Sequence, residues 1–170
     1  MQNSLLIGLS ALALLTHTSA HAVELPVRKP GLWEMKMQPS PQMPAMTMQH
    51  CTDETFDKQM TATFSPMAKD NCSKSEIQQT ATGYVTDSVC TVAGVTSTTH
   101  AEITGDFNAA YTVKVTTQAQ GAAARKDALT VEATYLGACK AGQKPGDVVM
   151  PGGLKMNIKD LEKAKSLMPK

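Results

Sequence analysis

Residues 95–104, Val-Thr-Ser-Thr-Thr-His-Ala-Glu-Ile-Thr, decide the fold class. Val95, Ser97, Thr99, Ala101 and Ile103 share one face, while Thr96, Thr98, His100, Glu102 and Thr104 share the other. That two-residue period marks a strand with one side against a core. The pattern repeats downstream: Tyr111, Val113 and Val115 alternate with Thr112, Lys114 and Thr116, and Leu129, Val131, Ala133 and Tyr135 alternate with Thr130, Glu132 and Thr134. Upstream, 74–81 and 84–92 carry Ile77, Tyr84, Val85, Val89 and Val92 between the turn signals Thr82-Gly83 and Ala93-Gly94. These segments predict five consecutive antiparallel strands, a meander.

Working toward the N-terminus, Gly31–Gln38 and residues 45–50 are two more strand candidates joined by the Pro-rich stretch Pro39 to Pro44. Alternation in the first places Trp33, Met35 and Met37 together, so Trp33 is expected in the core. Thr52-Asp53-Glu54-Thr55 offers an N-cap followed by acidic first-turn chemistry, which predicts a short helix from about 53 to 61. Past the Gly/Pro-rich linker that ends at Gly153, Asn157 is placed to cap a final helix carrying Ile158, Leu161, Ala164 or Lys165, and Met168 on one side. The expected fold is mainly β: a single curved antiparallel sheet of about seven strands, with a short helix between Cys51 and Cys72 and a C-terminal helix.

Composition narrows the function. Sixteen basic against fifteen acidic side chains leave a net charge of +1, no footprint for nucleic acid, and 42% hydrophobic content is too high for a disordered chain. Leu5 to Leu15 is an uncharged apolar run, followed by Ala20-His21-Ala22 with small residues at the two positions a signal peptidase reads. It is shorter than the roughly 18 apolar residues a membrane span needs. The expected organisation is therefore a signal peptide over 1–22 cleaved after Ala22, an exported disulfide-bonded β domain over 23–152 and a helical extension over 153–170, with a periplasmic location and no transmembrane segment in the mature protein. Export implies an oxidising compartment, and Cys51, Cys72, Cys90 and Cys139 are then expected to form two disulfides. Three pairings are open; Cys51–Cys72 and Cys90–Cys139 are favoured because the first closes a short helical excursion and the second ties an inner strand to the end of the last one.

Lys29-Pro-Gly-Leu-Trp-Glu34, the Met/Pro-rich interval after it, Cys51-Thr52 opening a helix, Asn71-Cys72, the mid-strand Cys90 and Leu136-Gly-Ala-Cys139 together resemble the domain-of-unknown-function family numbered thirty-six seventeen, small exported proteins of Gram-negative bacteria. The resemblance covers about residues 28 to 150. It implies an exported, disulfide-bonded, β-rich domain and brings no catalytic residue or ligand with it. The usual Gly-Asp-Cys ending stands here as Gly-Ala-Cys, and the tail after 153 reads as an extension.

No nucleophile elbow, phosphate loop, dinucleotide turn, zinc-protease helix or calcium loop occurs in the chain. His100-Ala101-Glu102 has a deaminase-like spacing but lacks the Cys-x-x-Cys partner, and reads as an exposed strand pair. No enzymatic activity is expected. The feature that points to chemistry is methionine clustering: Met35, Met37, Met43, Met46 and Met48 precede His50 within a short interval. Strand alternation turns Met35 with Met37 and Met46 with Met48, so thioethers could converge across a hairpin, and thioethers select soft Cu(I). The first reading of these residues is packing, or an adaptable surface for an apolar ligand or an envelope partner, with no cofactor. The alternative is a Cu(I) site formed by Met35, Met37, Met46, Met48 and His50. Partner identity is not expressed in the sequence.

Overall fold

The computed structural model describes residues 23–40, 43–121 and 124–160, with side chains for all of these except 61–69. The signal segment 1–22 lies outside the described residues. The elements run β1 (Gly31–Gln38), β2 (Met46–Thr52), α1 (Glu54–Asn71), β3 (Cys72–Thr80), β4 (Gly83–Val92), β5 (Val95–Asp106), β6 (Ala110–Ala119), β7 (Arg125–Gly137), β8 (Asp147–Val149) and β9 (Lys155–Asn157). They form one open antiparallel sheet in the order β3-β4-β5-β6-β7-β1-β2-β8-β9. The five-strand meander is present as expected, and the β1–β2 hairpin extends it because β1 pairs along β7. Ala93 and Gly94 both take positive φ, 50° and 79°, the geometry of a tight two-residue turn that matches strand twist between β4 and β5.

Two strands exceed the expected seven. β8 and β9 span three residues each in the Gly/Pro-rich stretch after Cys139, too short to display a period. Pairing makes them strands: His50 lies opposite Val148, and Val148 opposite Met156. Asp147, 2% exposed, accepts a hydrogen bond from the Asn157 amide at 2.7 Å and tightens that small hairpin. The sheet therefore continues to Asn157, beyond residue 152. Helical geometry begins at Ile158, with the Asn157 side-chain oxygen accepting the Lys159 N–H as a cap. The stripe Leu161, Ala164, Lys165 and Met168 lies outside the described residues.

Helix α1 opens as the sequence predicts, with the Asp53 carboxylate accepting the Phe56 N–H at 2.6 Å. It runs to Asn71 rather than to about 61, passing through Pro66. This length corrects the favoured disulfide pairing. Eighteen helical residues at about 1.5 Å each span roughly 27 Å, so Cys51 and Cys72, at opposite ends of α1, cannot approach to bonding distance. The bonds are Cys51–Cys139 and Cys72–Cys90, and no described cysteine is free. Cys72 opens β3 opposite Cys90 of β4, while Cys51 neighbours Leu32, which neighbours Gly137 at the end of β7. Two disulfides fit an oxidising, extracytoplasmic location.

The apolar face of the sheet is sealed at one end. Trp33 is fully buried with Ile103, Tyr111 and Ala133, and Leu25, Met35, Tyr84, Phe107, Val113 and Tyr135 pack around them. Five of the seven aromatic residues thus collect in one cluster. Trp33 lies 5.5 Å from both the Tyr111 and Tyr135 rings, and Phe107 stacks on Tyr111 at 4.7 Å. The segment before β1 folds over this end: the Lys29 N–H donates to Phe107 O, and Trp33 Nε1 donates to Lys29 O. Gly31 is required at the crossing, because at φ +140° any Cβ would run into the Gly137 carbonyl and the Tyr135 ring. No helix among the described residues is long and apolar enough to cross a membrane.

Candidate functional site

The β1–β2 register brings all five candidate side chains to one face. Trp33 lies opposite His50, Met35 opposite Met48 and Met37 opposite Met46, and the intervening Glu34, Lys36, Thr47 and Gln49 take the other face. On the far side of β1 the same face continues through Ala133 and Val131 of β7, opposite Met35 and Met37. Exposure rises along this ladder. Trp33 and His50 are 0% and 6% exposed, Met35, Met37 and Met48 are half-buried, and Met46 is 38% exposed. Met43, in the connection between the strands, is more exposed still.

His50 sits where the hairpin meets the core, within a polar network that sequence reading did not anticipate. Arg28 donates from Nε and Nη2 to the two carboxylate oxygens of Asp57, at 2.9 and 2.6 Å, and from its backbone N–H to the same group. Thr52 Oγ1 donates to Asp57 at 2.6 Å. Arg28 Nη2 also faces His50 Nδ1 at 3.4 Å, so Nδ1 accepts and Nε2 carries the ring proton. Nε2 is buried with no hydrogen-bond partner among the described residues, and the ring packs edge-on against Phe56 at 5.4 Å. Burial, with Arg28 adding to it, lowers the His50 pKa to about 4. The imidazole is neutral at ordinary pH. The Arg28 hydrogen bonds and that of Thr52 outweigh burial at Asp57 and hold its carboxyl below the usual carboxylate range. This network joins the pre-β1 segment, β2 and the first turn of α1. One signal could have revealed it: Arg28 is one of two arginines in a lysine-rich chain, and the planar guanidinium is the cation suited to a buried bidentate pair.

His100 and Glu102 lie on the polar face of β5. His100 Nδ1 bonds Asp87 at 2.8 Å and Nε2 lies 3.7 Å from Glu102, which together raise its pKa, and the ring is 47% exposed. It is the surface pair the sequence suggested. Two surface hollows, of about 300 and 170 Å³, are lined by Asp53, Lys144, Pro145, Asn157, Lys159 and Asp160 and by Lys36, Gln38, Thr130 and Glu132. The second is on the face opposite the methionines, and no methionine lines either hollow.

The Gly31-Leu-Trp-Glu opening, the four disulfide-bonded cysteines and the antiparallel meander lie within one matched family region, residues 28–139. The chain belongs to the DUF3617 family, described as a protein of unknown function. The DUF3617 match begins at Arg28 and ends at Cys139, so it contains the whole Arg28–Asp57–His50 network and both disulfides; β8 and β9 lie beyond it. No curated protein and no solved structure matches the chain.

Proposed function

We propose that this protein is an exported, periplasmic, non-catalytic envelope domain that works by binding, with the thioether face of β1–β2 as the surface for an apolar ligand or an envelope partner. One observation carries the reading: the same face of the β1–β2 hairpin is sealed at Trp33, half-buried at Met37 and exposed at Met46. A methionine recruited to fill a core is buried, and Met46 is not. Soft, flexible thioethers on an accessible surface suit a changeable apolar contact. The uncharged run 5–15 with Ala20-His21-Ala22, and the two disulfides, support export. The non-catalytic reading is supported by His50, the one buried imidazole among the described residues, which is neutral and hydrogen-bonded to Arg28.

Native mass spectrometry of the protein purified from the periplasm tests this. The expected protein starts at Val23, has no thiol that alkylates before reduction, and carries a bound species that is lost when Met46→Glu places a charge on the face. A retained leader, or a species unaffected by that substitution, would overturn it.

A further inference from the structure

We propose that this face takes Cu(I), held by the thioethers of Met35, Met37, Met46 and Met48 alone, with His50 outside the ligand set. The inference rests on the binding surface described above and names its occupant. Met35–Met48 and Met37–Met46 are successive cross-strand pairs, so four methionines form a two-by-two patch. Directly opposed side chains have Cβ atoms about 4.5–5.5 Å apart, and successive same-face residues on a strand lie about 7 Å apart. A methionine side chain turns about three bonds, which lets sulfurs from the four corners meet above the centre of the patch.

The donor set then selects the ion. Neutral thioethers favour soft Cu(I), whereas divalent ions need carboxylate, imidazole or thiolate. The patch offers none of these. Its β7 neighbours are Ala133 and Val131, Lys36 with its partner Glu132 is on the opposite face, and all four cysteines are bonded as disulfides. Exposure of Met46 leaves one corner of the patch open for loading, the other three methionines being half-buried.

His50 is next along the same face, and the structure removes it from the set. Its Nδ1 accepts from Arg28, and its Nε2 bears the proton, so neither nitrogen has a lone pair free for a metal. Coordination would require breaking the Arg28 contact and placing a cation beside a guanidinium. The neutral ring instead closes the sealed end of the ladder.

The test uses the mature protein with both disulfides intact and ascorbate as the reductant, since it reduces copper while leaving disulfides in place and so produces no competing thiolates. Competition with a chromophoric Cu(I) chelator should show one retained ion. The variant Met46→Leu/Met48→Leu should bind at least about 100-fold more weakly, since loss of mere supporting groups around a metal already costs 10–100-fold. Copper X-ray absorption of the loaded wild type should show sulfur neighbours and no imidazole scattering, a readout independent of whether His50→Gln folds. Equal, weak retention by wild type and double variant would overturn the copper site, and imidazole scattering would overturn the sulfur-only set. If copper is not retained but a Met46-dependent apolar species is seen by native mass spectrometry, the copper inference falls and the binding surface stands; absence of both removes both.

Discussion

Strand β1 presents one face with two different ends. At Trp33 the neighbours are Tyr111 and Tyr135, rigid rings in tilted contact, tied down by Lys29 and the segment before the strand. Two residues on, Met35 still packs against that cluster, opposite Met48; four residues on, half-buried Met37 lies opposite Met46, where the surface opens. Among the described residues, five aromatics gather at the first end and none lies on the thioether ladder. The contrast separates two tasks. Aromatic rings give large buried area and fixed geometry, while thioethers give adaptability and a soft donor. The sealed end explains how the domain stands, and the open end is the face proposed for a ligand.

If that division is right, the largest losses of stability lie at the sealed end. Cys51–Cys139 fastens the hairpin there and closes a separation of 88 residues, whereas Cys72–Cys90 closes 18. On chain entropy the first contributes about 4–5 kcal/mol and the second about 3 kcal/mol. Cys51→Ser/Cys139→Ser should therefore lower the urea-unfolding free energy more than Cys72→Ser/Cys90→Ser. The reverse ranking would place the main constraint at the β3 edge and weaken the contrast.

Next in size is Trp33→Ala, which empties a fully buried site and should cost about 3–5 kcal/mol. Met46→Ala, on the same face but 38% exposed, should stay within about 0.5 kcal/mol. Chemical denaturation of the two variants side by side measures the contrast directly. Comparable losses would mean that the thioether end is core.

These two ends were not equally legible in the sequence. Alternation is a local signal, and it correctly placed Trp33, Met35 and Met37 together and Met46 with Met48, because a strand's period of two is imposed by backbone geometry within a few residues. The opposition of Met35 to Met48 depends on register, which the hairpin supplies and the sequence only permits. Long-range partners were less accessible. The disulfides followed from the length of α1 and from strand neighbours, neither of which cysteine spacing encodes. Arg28 reaches Asp57 across 29 residues, and His50, which looked like a ligand from its place after Met48, is instead held by that pair. β8 and β9 are strands only because β2 offers an edge.

The network at His50 gives an effect of intermediate size with a definite pH window. The folded ring has a pKa of about 4 against an ordinary value of 6.5, so between those values the unfolded chain takes up a proton that the folded protein refuses. Stability is thus full above about pH 6.5 and is lost as the pH falls toward 4, by on the order of 3 kcal/mol. Asp57, whose folded pKa is depressed, extends the loss further into acid as its carboxylate is protonated. Thermal or urea unfolding measured from pH 7 to pH 4 should show this slope, and His50→Gln should flatten it above pH 4. A slope that persists in the variant would assign the acid sensitivity elsewhere.

The smallest expected effect on stability belongs to the residues proposed to matter most for binding. Met37→Leu/Met46→Leu replaces one opposed thioether pair by side chains of similar volume and apolarity, a change that costs less than about 1.5 kcal/mol per site even in a packed core. Met46 is partly exposed, so its share should fall below that bound. The unfolding midpoint should barely move. What leucine lacks is the sulfur lone pair and one rotatable bond, so any function that used either disappears while the fold stays. A midpoint drop approaching that of Trp33→Ala would show that both ends of β1 serve packing alike. An unchanged midpoint together with lost Cu(I) retention would separate them, because of the two things leucine lacks only the sulfur lone pair can hold the ion.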